Sequence, residues 1–320
     1  MTQSRGPVPP PAAVTLSEPD LAAKPAGYVV LVAPQDRVHF LDWTPSERSA
    51  GLPGSDLGGG VLLIHGLAAT AQVWAPVARR LCGARRVVAM DLRGHGLSDA
   101  PTDGYDLATL GADAVAVVEG AGLLDEPGLR VVLAGHGFGA IVAAHAALEL
   151  GDRCAALVLV DGGWEALAEA SGQDAEEFLR TLEEPPEVLS SLAAYLADRK
   201  AFDPSSWDAD QEEAVRAAVV ELPAGRVVST TRPHALQGSV RAMFAYRPEK
   251  TLAAVTAPIR VMSAAEDEAH GRSAALDGIA GRLAAAGRPL QGRRAFPLDG
   301  HNLMRYRPRE VTDAILGTGW

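Results

Sequence analysis

Residues 131–139, Val-Val-Leu-Ala-Gly-His-Gly-Phe-Gly, decide the fold that the sequence predicts. The apolar run Val131–Ala134 is typical of a strand that is buried on both faces of a parallel sheet. The glycine-rich turn Gly135–Gly139 follows directly, and a helical stretch comes after it. This order places the turn at the carboxyl end of a strand, which is where doubly wound sheets carry their active sites.

The same alternation extends in both directions from this stretch. Helical stretches separate four further short apolar runs: Val61–Ile64, Val87–Met90, Leu157–Val160 and Ile259–Met262. Strands that alternate with helices indicate βαβ units and a mostly parallel sheet. Two earlier runs, Tyr28–Val32 and Val38–Trp43, lie close enough in sequence to form an opening hairpin. The sequence therefore predicts an α/β fold with a doubly wound sheet.

The alternation of predicted strands and helices divides the chain into a core and an insertion. It stops between residues 164 and 249, where acidic amphipathic helices take over, and we interpret residues 164–249 as an inserted helical lid. Residues 25–163 and 250–320 then form the α/β core. Residues 1–24 are rich in Pro, Ala and Ser without a continuous apolar run, so we expect a disordered leader rather than a secretory signal.

Two helices of this arrangement have clear boundary signals. A lid helix is predicted to begin at Asp208, because Asp208 and Gln211 have capping-box spacing, and its apolar face includes Val219 and Leu222. The last helix is predicted to begin near Pro308, which suits the first helical position, and to end before Gly317.

Composition limits the kind of partner. The chain has 320 residues, 48% of them hydrophobic, which is enough for one sizeable core. The net charge of −11 argues against a nucleic-acid partner, because such binding depends on neutralising phosphates with Lys and Arg. No apolar run reaches the roughly 18 residues that span a bilayer. We therefore expect a small-molecule substrate, with no nucleic-acid or membrane partner, and composition gives no oligomeric state.

The spacing of cysteines and histidines predicts neither a disulfide framework nor a metal site. Cys82 and Cys154 lie in or beside apolar runs and form no C-x-x-C pair, so we expect buried thiols in a reducing, cytoplasmic compartment. The histidines lack metal-binding spacing, and no metal or other cofactor is predicted. The heavy use of Ala, Gly, Arg and Val is typical of a bacterial genome of high GC content.

Polar, glycine-rich turns follow the predicted strands and carry recognisable sequence blocks. These blocks are His65-Gly66-Leu67, Asp91–Asp99, Gly135–Gly139 and Leu298–Asn302. Together they resemble the blocks of the α/β-hydrolase fold superfamily, in its lid-containing form, and the resemblance extends from Tyr28 to the C terminus. It implies the α/β-hydrolase fold and a catalytic triad in the chain order nucleophile, acid, histidine.

The resemblance assigns the nucleophile position to a glycine. In the family this block reads G-x-S-x-G, a sharp turn between strand and helix that exposes the nucleophile. Gly135 and Gly139 match the flanking glycines, so the nucleophile position is Gly137. This position has no side chain to attack a substrate.

The other two members of the triad find matches in the C-terminal third of the chain. His301, in a glycine-containing turn before a helix, matches the histidine. Asp267 has the better spacing for the acid, with the adjacent Glu266 as the alternative, and Ala265 departs from the residue usual in that turn. The stretch Asp161–Gly163 resembles the edge of the sheet just before the lid.

The resemblance also implies an oxyanion hole and a pocket. The oxyanion donors are expected to be the backbone N–H groups of Leu67 and Phe138, which a missing serine side chain does not remove. Trp74 and His136 are candidates for the substrate pocket. Core packing explains Trp74 equally well, and we expect His65 and His136 to be hydrogen-bonded structural groups rather than ligands.

Three interpretations of Gly137 remain open from sequence. The chain is an atypical α/β-hydrolase-fold enzyme in which the His301–Asp267 pair acts as general base, either activating water or abstracting a proton as in a lyase or isomerase. Alternatively, it is a non-catalytic relative that binds a small molecule, or a serine esterase-type hydrolase disabled by glycine. The retained His and Asp favour the first interpretation.

Overall fold

An eight-stranded sheet organises the computed structural model, which describes residues 21–43, 59–182, 191–223, 225–265 and 271–318. Ten strands lie in these residues: Ala26–Val32 (β1), Asp36–Asp42 (β2), Val61–Ile64 (β3), Val87–Met90 (β4), Val131–His136 (β5), Cys154–Val160 (β6), Val219–Glu221 (β7), Val227–Ser229 (β8), Ile259–Ala264 (β9) and Gly292–Phe296 (β10). The strand order of the main sheet is β1-β2-β4-β3-β5-β6-β9-β10. The β1–β2 hairpin is antiparallel and joins β4 antiparallel, whereas β4, β3, β5, β6, β9 and β10 are mutually parallel.

The predicted strands are confirmed, and β10 is a strand that the sequence analysis missed. Every residue of β3, β4 and β5 is buried, which agrees with their continuous apolar sequences. By contrast, β10 lies at the edge of the sheet and exposes Arg293 and Arg294. An edge strand that faces water needs no apolar run, so its sequence gave no strand signal.

Helices cover both faces of the sheet. The described residues contain twelve α-helices: Ala75–Leu81 (α1), Leu107–Gly120 (α2), Phe138–Leu150 (α3), Leu167–Ser171 (α4), Ala175–Leu182 (α5), Leu192–Phe202 (α6), Ala209–Ala217 (α7), Pro233–Ala245 (α8), Pro248–Ala254 (α9), Arg272–Ala285 (α10), Leu303–Tyr306 (α11) and Pro308–Leu316 (α12). One core layer packs α2, α3, α9 and α10 on the sheet, and the other packs α1 and α12 on the opposite face. The chain thus has the α/β-hydrolase architecture that its sequence resembles.

The segment between β6 and β9 is mainly helical, as predicted, but contains a short hairpin. Helix α7 begins after Asp208, whose side chain accepts a hydrogen bond from Gln211 N at 2.8 Å, so the predicted cap is confirmed. The prediction that this helix continues through Val219 and Leu222 is wrong. Val219 begins β7, and Leu222 N donates to Arg226 O at 2.7 Å in the turn to β8.

The two chain ends differ from one another in how well they were predicted. The last helix, α12, begins at Pro308 and ends before Gly317, as expected. Of the predicted disordered leader, residues 1–20 lie outside the described residues, and among residues 21–24 Ala23 packs on the core while the other three are exposed. Ala23 is buried, and its carbonyl accepts a hydrogen bond from Arg79 Nε at 2.9 Å. No helix of the described residues is long and apolar enough to cross a bilayer.

Candidate active site

The turn between β5 and α3 has the sharp backbone that the sequence predicts. Gly137 adopts φ 52° and ψ −117°, a conformation that is strained for residues with a side chain. Cβ atoms on the flanking glycines would overlap backbone atoms, the carbonyl of Gly139 in the case of Gly135 and the carbonyls of Ile64 and His65 in the case of Gly139. Both flanking glycines are therefore required by close approach of the main chain.

His301 faces this turn from the loop between β10 and α11. A Cβ atom on residue 137 would lie 3.2 Å from His301 Nε2. The His301 side chain is 41% exposed, so part of the ring is open to solvent. The structure thus brings together the predicted histidine and the predicted nucleophile position.

The carboxylate that binds His301 is Asp161, directly after β6. Asp161 Oδ2 lies 2.5 Å from His301 Nδ1, and Asp161 Oδ1 accepts a hydrogen bond from Ala264 N at 3.0 Å. The Asp161 side chain is fully buried. Its backbone has φ 47°, and Asp161 and Ala68 (φ 56°) are the non-glycine residues with positive φ in the described part of the chain. Ala68 adjoins the candidate oxyanion residue Leu67, so both outliers lie at the site.

Asp161 is held in its anionic form by its partners. Burial alone would raise its pKa, but the hydrogen bond from His301 and the positive charge of Arg272, whose Nη1 lies 3.4 Å from Oδ1, lower it. The hydrogen bond from Ala264 N acts in the same direction. The pKa of Asp161 is therefore below its ordinary value, and the carboxylate is charged at neutral pH.

The acid expected from sequence was Asp267, with Glu266 as the alternative. Both lie outside the described residues, so neither assignment is tested. Among the residues that the structure describes, Asp161 is the carboxylate that is hydrogen-bonded to Nδ1 of His301. The available signal was an aspartate directly after the buried run Leu157–Val160 and before two glycines. Asp161 follows β6, and the acid was expected after the neighbouring strand, β9.

His136, at the carboxyl end of β5, packs against His301. Its Nε2 lies 3.0 Å from His301 O, where only an N–H can donate, and the two rings have centroids 4.3 Å apart. Burial, and secondarily the charge of His301, lower the pKa of His136 to about 3, so its ring stays neutral. His136 therefore braces the His301 loop. His65 is likewise buried, and its Nδ1 contacts Gly66 O at 2.7 Å while Nε2 accepts from Leu92 N at 3.0 Å.

The candidate oxyanion donors lie on the two chain segments that border Gly137. Phe138 is the first residue of α3, and Leu67 follows Gly66, whose Cα would be 3.9 Å from a Cβ on residue 137. Among the described residues, neither the Leu67 nor the Phe138 N–H donates a hydrogen bond. Trp74, by contrast, is fully buried in the core layer of α1 and α12, which favours the packing explanation over a pocket role.

Among the described residues, no cluster of metal-ligating side chains accompanies this site. In the described part of the chain, no group of three or more His, Cys, Asp or Glu residues is arranged to hold a metal ion. The chemistry available from these residues is that of a charged carboxylate, an imidazole and two backbone N–H donors around a glycine.

Comparison with known proteins gives several relatives that are named hydrolases. The chain is 30% identical to the putative carbamate hydrolase RutD of Variovorax paradoxus over 66% of this chain and 74% of that protein. It is 29% identical to 2-(acetamidomethylene)succinate hydrolase of Mesorhizobium japonicum, over 43% of this chain and 48% of that protein, so this match spans about half of the relative. The crystal structure of E-2-(acetamidomethylene)succinate hydrolase superposes with a TM-score of 0.72 at 19% identity, covering 92% of this chain and 98% of that one.

These relatives agree with the sequence profile that matches the chain. The profile of the Alpha/beta hydrolase family covers residues 61–314, from the start of β3 into α12. The six parallel strands of the main sheet, the glycine turn and the His301 loop all lie within this range. The chain belongs to the Alpha/beta hydrolase family.

Proposed function

We propose that this chain is an enzyme that acts on a small organic molecule with His301 as general base, positioned by Asp161, and without a covalent serine intermediate. The observation that carries the proposal is the direction of the imidazole. Nδ1 is bonded to a buried carboxylate, and Nε2 points at the position that a serine side chain occupies in the family. A base in this arrangement acts on whatever proton donor stands beside Gly137.

Water is the simplest proton donor for this position. With Nδ1–H donated to Asp161, Nε2 carries the lone pair that takes a proton from water as its oxygen attacks a carbonyl carbon. In this proposal the Leu67 and Phe138 N–H groups and the N terminus of α3 stabilise the tetrahedral oxyanion that forms. The imidazolium, stabilised by Asp161, then returns the proton to the leaving nitrogen or oxygen.

The named relatives support hydrolysis of a small acyl compound. One is named for a carbamate and another for an acetamidomethylene succinate, and both compounds contain a bond between an acyl carbon and nitrogen. We propose the same class of bond for this chain, because direct attack by water requires only a base and an oxyanion hole.

The helical segment between Trp164 and Glu249 is proposed to be a lid over this site. Arg232 N donates to Gly94 O at 3.2 Å, and Tyr306 Oη donates to Asp203 Oδ2 at 2.9 Å. These contacts attach the segment to loops at the carboxyl ends of the strands, beside the His301 loop. Cys82 and Cys154 are buried and form no disulfide in the described part of the chain, which supports the proposed cytoplasmic location.

The test is turnover of a panel of small carbamates, amides, esters and thioesters. We expect His301→Ala to lower turnover of the active compound by about 10²–10⁴, because it removes the base. His234→Gln, which alters an exposed histidine on α8, is the matched control and should keep full activity. Enzyme quenched during turnover should show no acyl adduct in its intact mass. An adduct, or full activity in folded His301→Ala, would refute the proposal.

A further inference from the structure

A buried charge cluster adjoins the carboxylate that positions His301. Arg272, the first residue of α10, lies between two acids: its Nη1 is 3.4 Å from Asp161 Oδ1, and its Nε donates a short hydrogen bond to Glu165 Oε1. The guanidinium carbon also lies 5.2 Å from the ring centroid of the buried Trp164. The side chains of Arg272 and Glu165 are only 13% and 18% exposed. Charges at such a depth interact far more strongly than charges in water.

We propose that Arg272 and Glu165 form a positioning pair that sets the electrostatic field on the Asp161–His301 pair. Arg272 offsets part of the negative charge that Asp161 presents to His301, and Glu165 offsets Arg272. The inference deepens the proposed general-base function and rests on it for its catalytic meaning. Neither member of the pair needs to touch the substrate.

The arrangement of charges along this cluster alternates in sign. From the glycine turn outward, the order is the basic His301, the negative Asp161, the positive Arg272 and the negative Glu165. A positive Arg272 beside Asp161 weakens the stabilisation of an imidazolium at His301. A negative Glu165 beyond it restores part of that stabilisation. The pair thus regulates how readily His301 keeps a proton, which is the property that a general base requires.

The ionisation of the two acids agrees with this geometry. Burial raises the pKa of Glu165, although the charge and hydrogen bond of Arg272 oppose the rise. In Asp161 the effect of burial is outweighed by the hydrogen bond from His301 and by the charge of Arg272, so its pKa is lowered. Arg272 therefore contributes to the ionisation of both carboxylates.

Among the described residues, the other titratable groups around His301 do not duplicate this role. His136 from β5 faces the ring but stays neutral, because burial lowers its pKa to about 3. His65 from the β3 turn is also buried, with a lowered pKa. On the His301 loop itself, Asp299 is paired with Arg307 at 2.8 Å. The charged residues among 266–270 lie outside the described part of the chain, and they stay unchanged in every variant compared below.

The experiment follows the His301 imidazole by NMR as a function of pH, with its resonances assigned by their loss in His301→Gln. In Arg272→Gln, the titration midpoint of His301 should rise by about one pH unit, because a positive charge that opposes the imidazolium is removed. In Glu165→Gln the midpoint should fall by a similar amount. The double variant should return close to the native midpoint, and Arg272→Lys, which keeps the charge, should shift little.

The sign of the Arg272→Gln shift separates this proposal from a purely structural role. If Arg272 only holds Asp161 in place, its removal weakens the Asp161–His301 hydrogen bond, and the midpoint falls instead of rising. A fall or no change in folded Arg272→Gln overturns the proposal, as does a rise or no change in Glu165→Gln, which decides the matter if Arg272→Gln does not fold. The titration uses no substrate, so failure of the general-base function, seen as turnover by His301→Ala, is a separate result.

Discussion

Replacing Gly137 with serine tests whether the site retains the geometry of a serine hydrolase. The new Cβ would lie 3.2 Å from His301 Nε2, which is tighter than ordinary van der Waals contact. The imidazole must therefore withdraw by a few tenths of an ångström before Nε2 and the new hydroxyl form a normal hydrogen bond. His301 can move in this way, because its side chain is 41% exposed.

The cost to stability comes from the backbone. At φ 52° and ψ −117°, a residue with a side chain is strained by about 1–3 kcal/mol, so both Gly137→Ser and Gly137→Ala should lower the free energy of unfolding by this amount. The alanine variant is the matched control, since it has the same strain and the same Cβ contact but no hydroxyl. Urea denaturation of the three proteins measures the difference.

Of the two variants, only Gly137→Ser should gain esterase activity. With p-nitrophenyl acetate, Gly137→Ser should release a burst of nitrophenol equal to the enzyme concentration and show an acetyl adduct in its intact mass, because His301 activates the hydroxyl. We expect weak steady-state turnover, since the ring must first withdraw. A folded serine variant without an adduct would refute the inference that His301 is directed at this position. Turnover as fast as that of an ordinary family esterase would favour a disabled serine hydrolase over a site adapted to water.

Two further predictions concern stability. His136 has a pKa of about 3 when folded, against an ordinary value near 6.5, so its stabilising contribution is complete above pH 6.5 and declines as the pH falls toward 3. Between pH 7 and pH 5, urea denaturation of the native protein should lose about 2 kcal/mol that His136→Gln does not lose, and equal losses would contradict the burial argument. Gly139→Ala should cost about 3 kcal/mol through its overlap with backbone carbonyls, whereas Gly281→Ala, in open space on α10, should stabilise by about 0.5–1 kcal/mol. Thermal melts showing similar effects for both would refute this reading of the glycines.

Most of the sheet could be predicted because its strands are buried on both faces. Runs such as Val61–Ile64 and Val87–Met90 have no polar residue, and their boundaries were predicted as observed. The edge strand β10 and the β7–β8 hairpin escaped prediction for the opposite reason. Their residues face water or pair only with each other, so no apolar pattern distinguishes them from loops or helices.

The candidate site was predictable only where a backbone turn imposes a sequence. Gly135, Gly137 and Gly139 could be predicted because close approach of the main chain or a positive φ requires glycine at these positions. The partner of His301 leaves no such signature. It depends on which of two neighbouring strand ends presents a carboxylate to Nδ1, and sequence spacing does not resolve this.

The pairing of β6 with β9 explains how Asp161 reaches His301. Val160 is in register with Met262, and Asp161 N donates to Met262 O at 2.8 Å, so Asp161 is anchored at the end of both strands. From there its Oδ1 accepts from Ala264 N and its Oδ2 reaches His301. This placement requires φ 47° at a residue with a side chain, which costs free energy. Residues held in such sparsely populated conformations cluster at active sites, where the surrounding structure keeps them in place. The strain at Asp161, together with its two hydrogen bonds and the ion pair with Arg272, therefore favours a site that still uses His301 as a base over one in which glycine marks the loss of all chemistry.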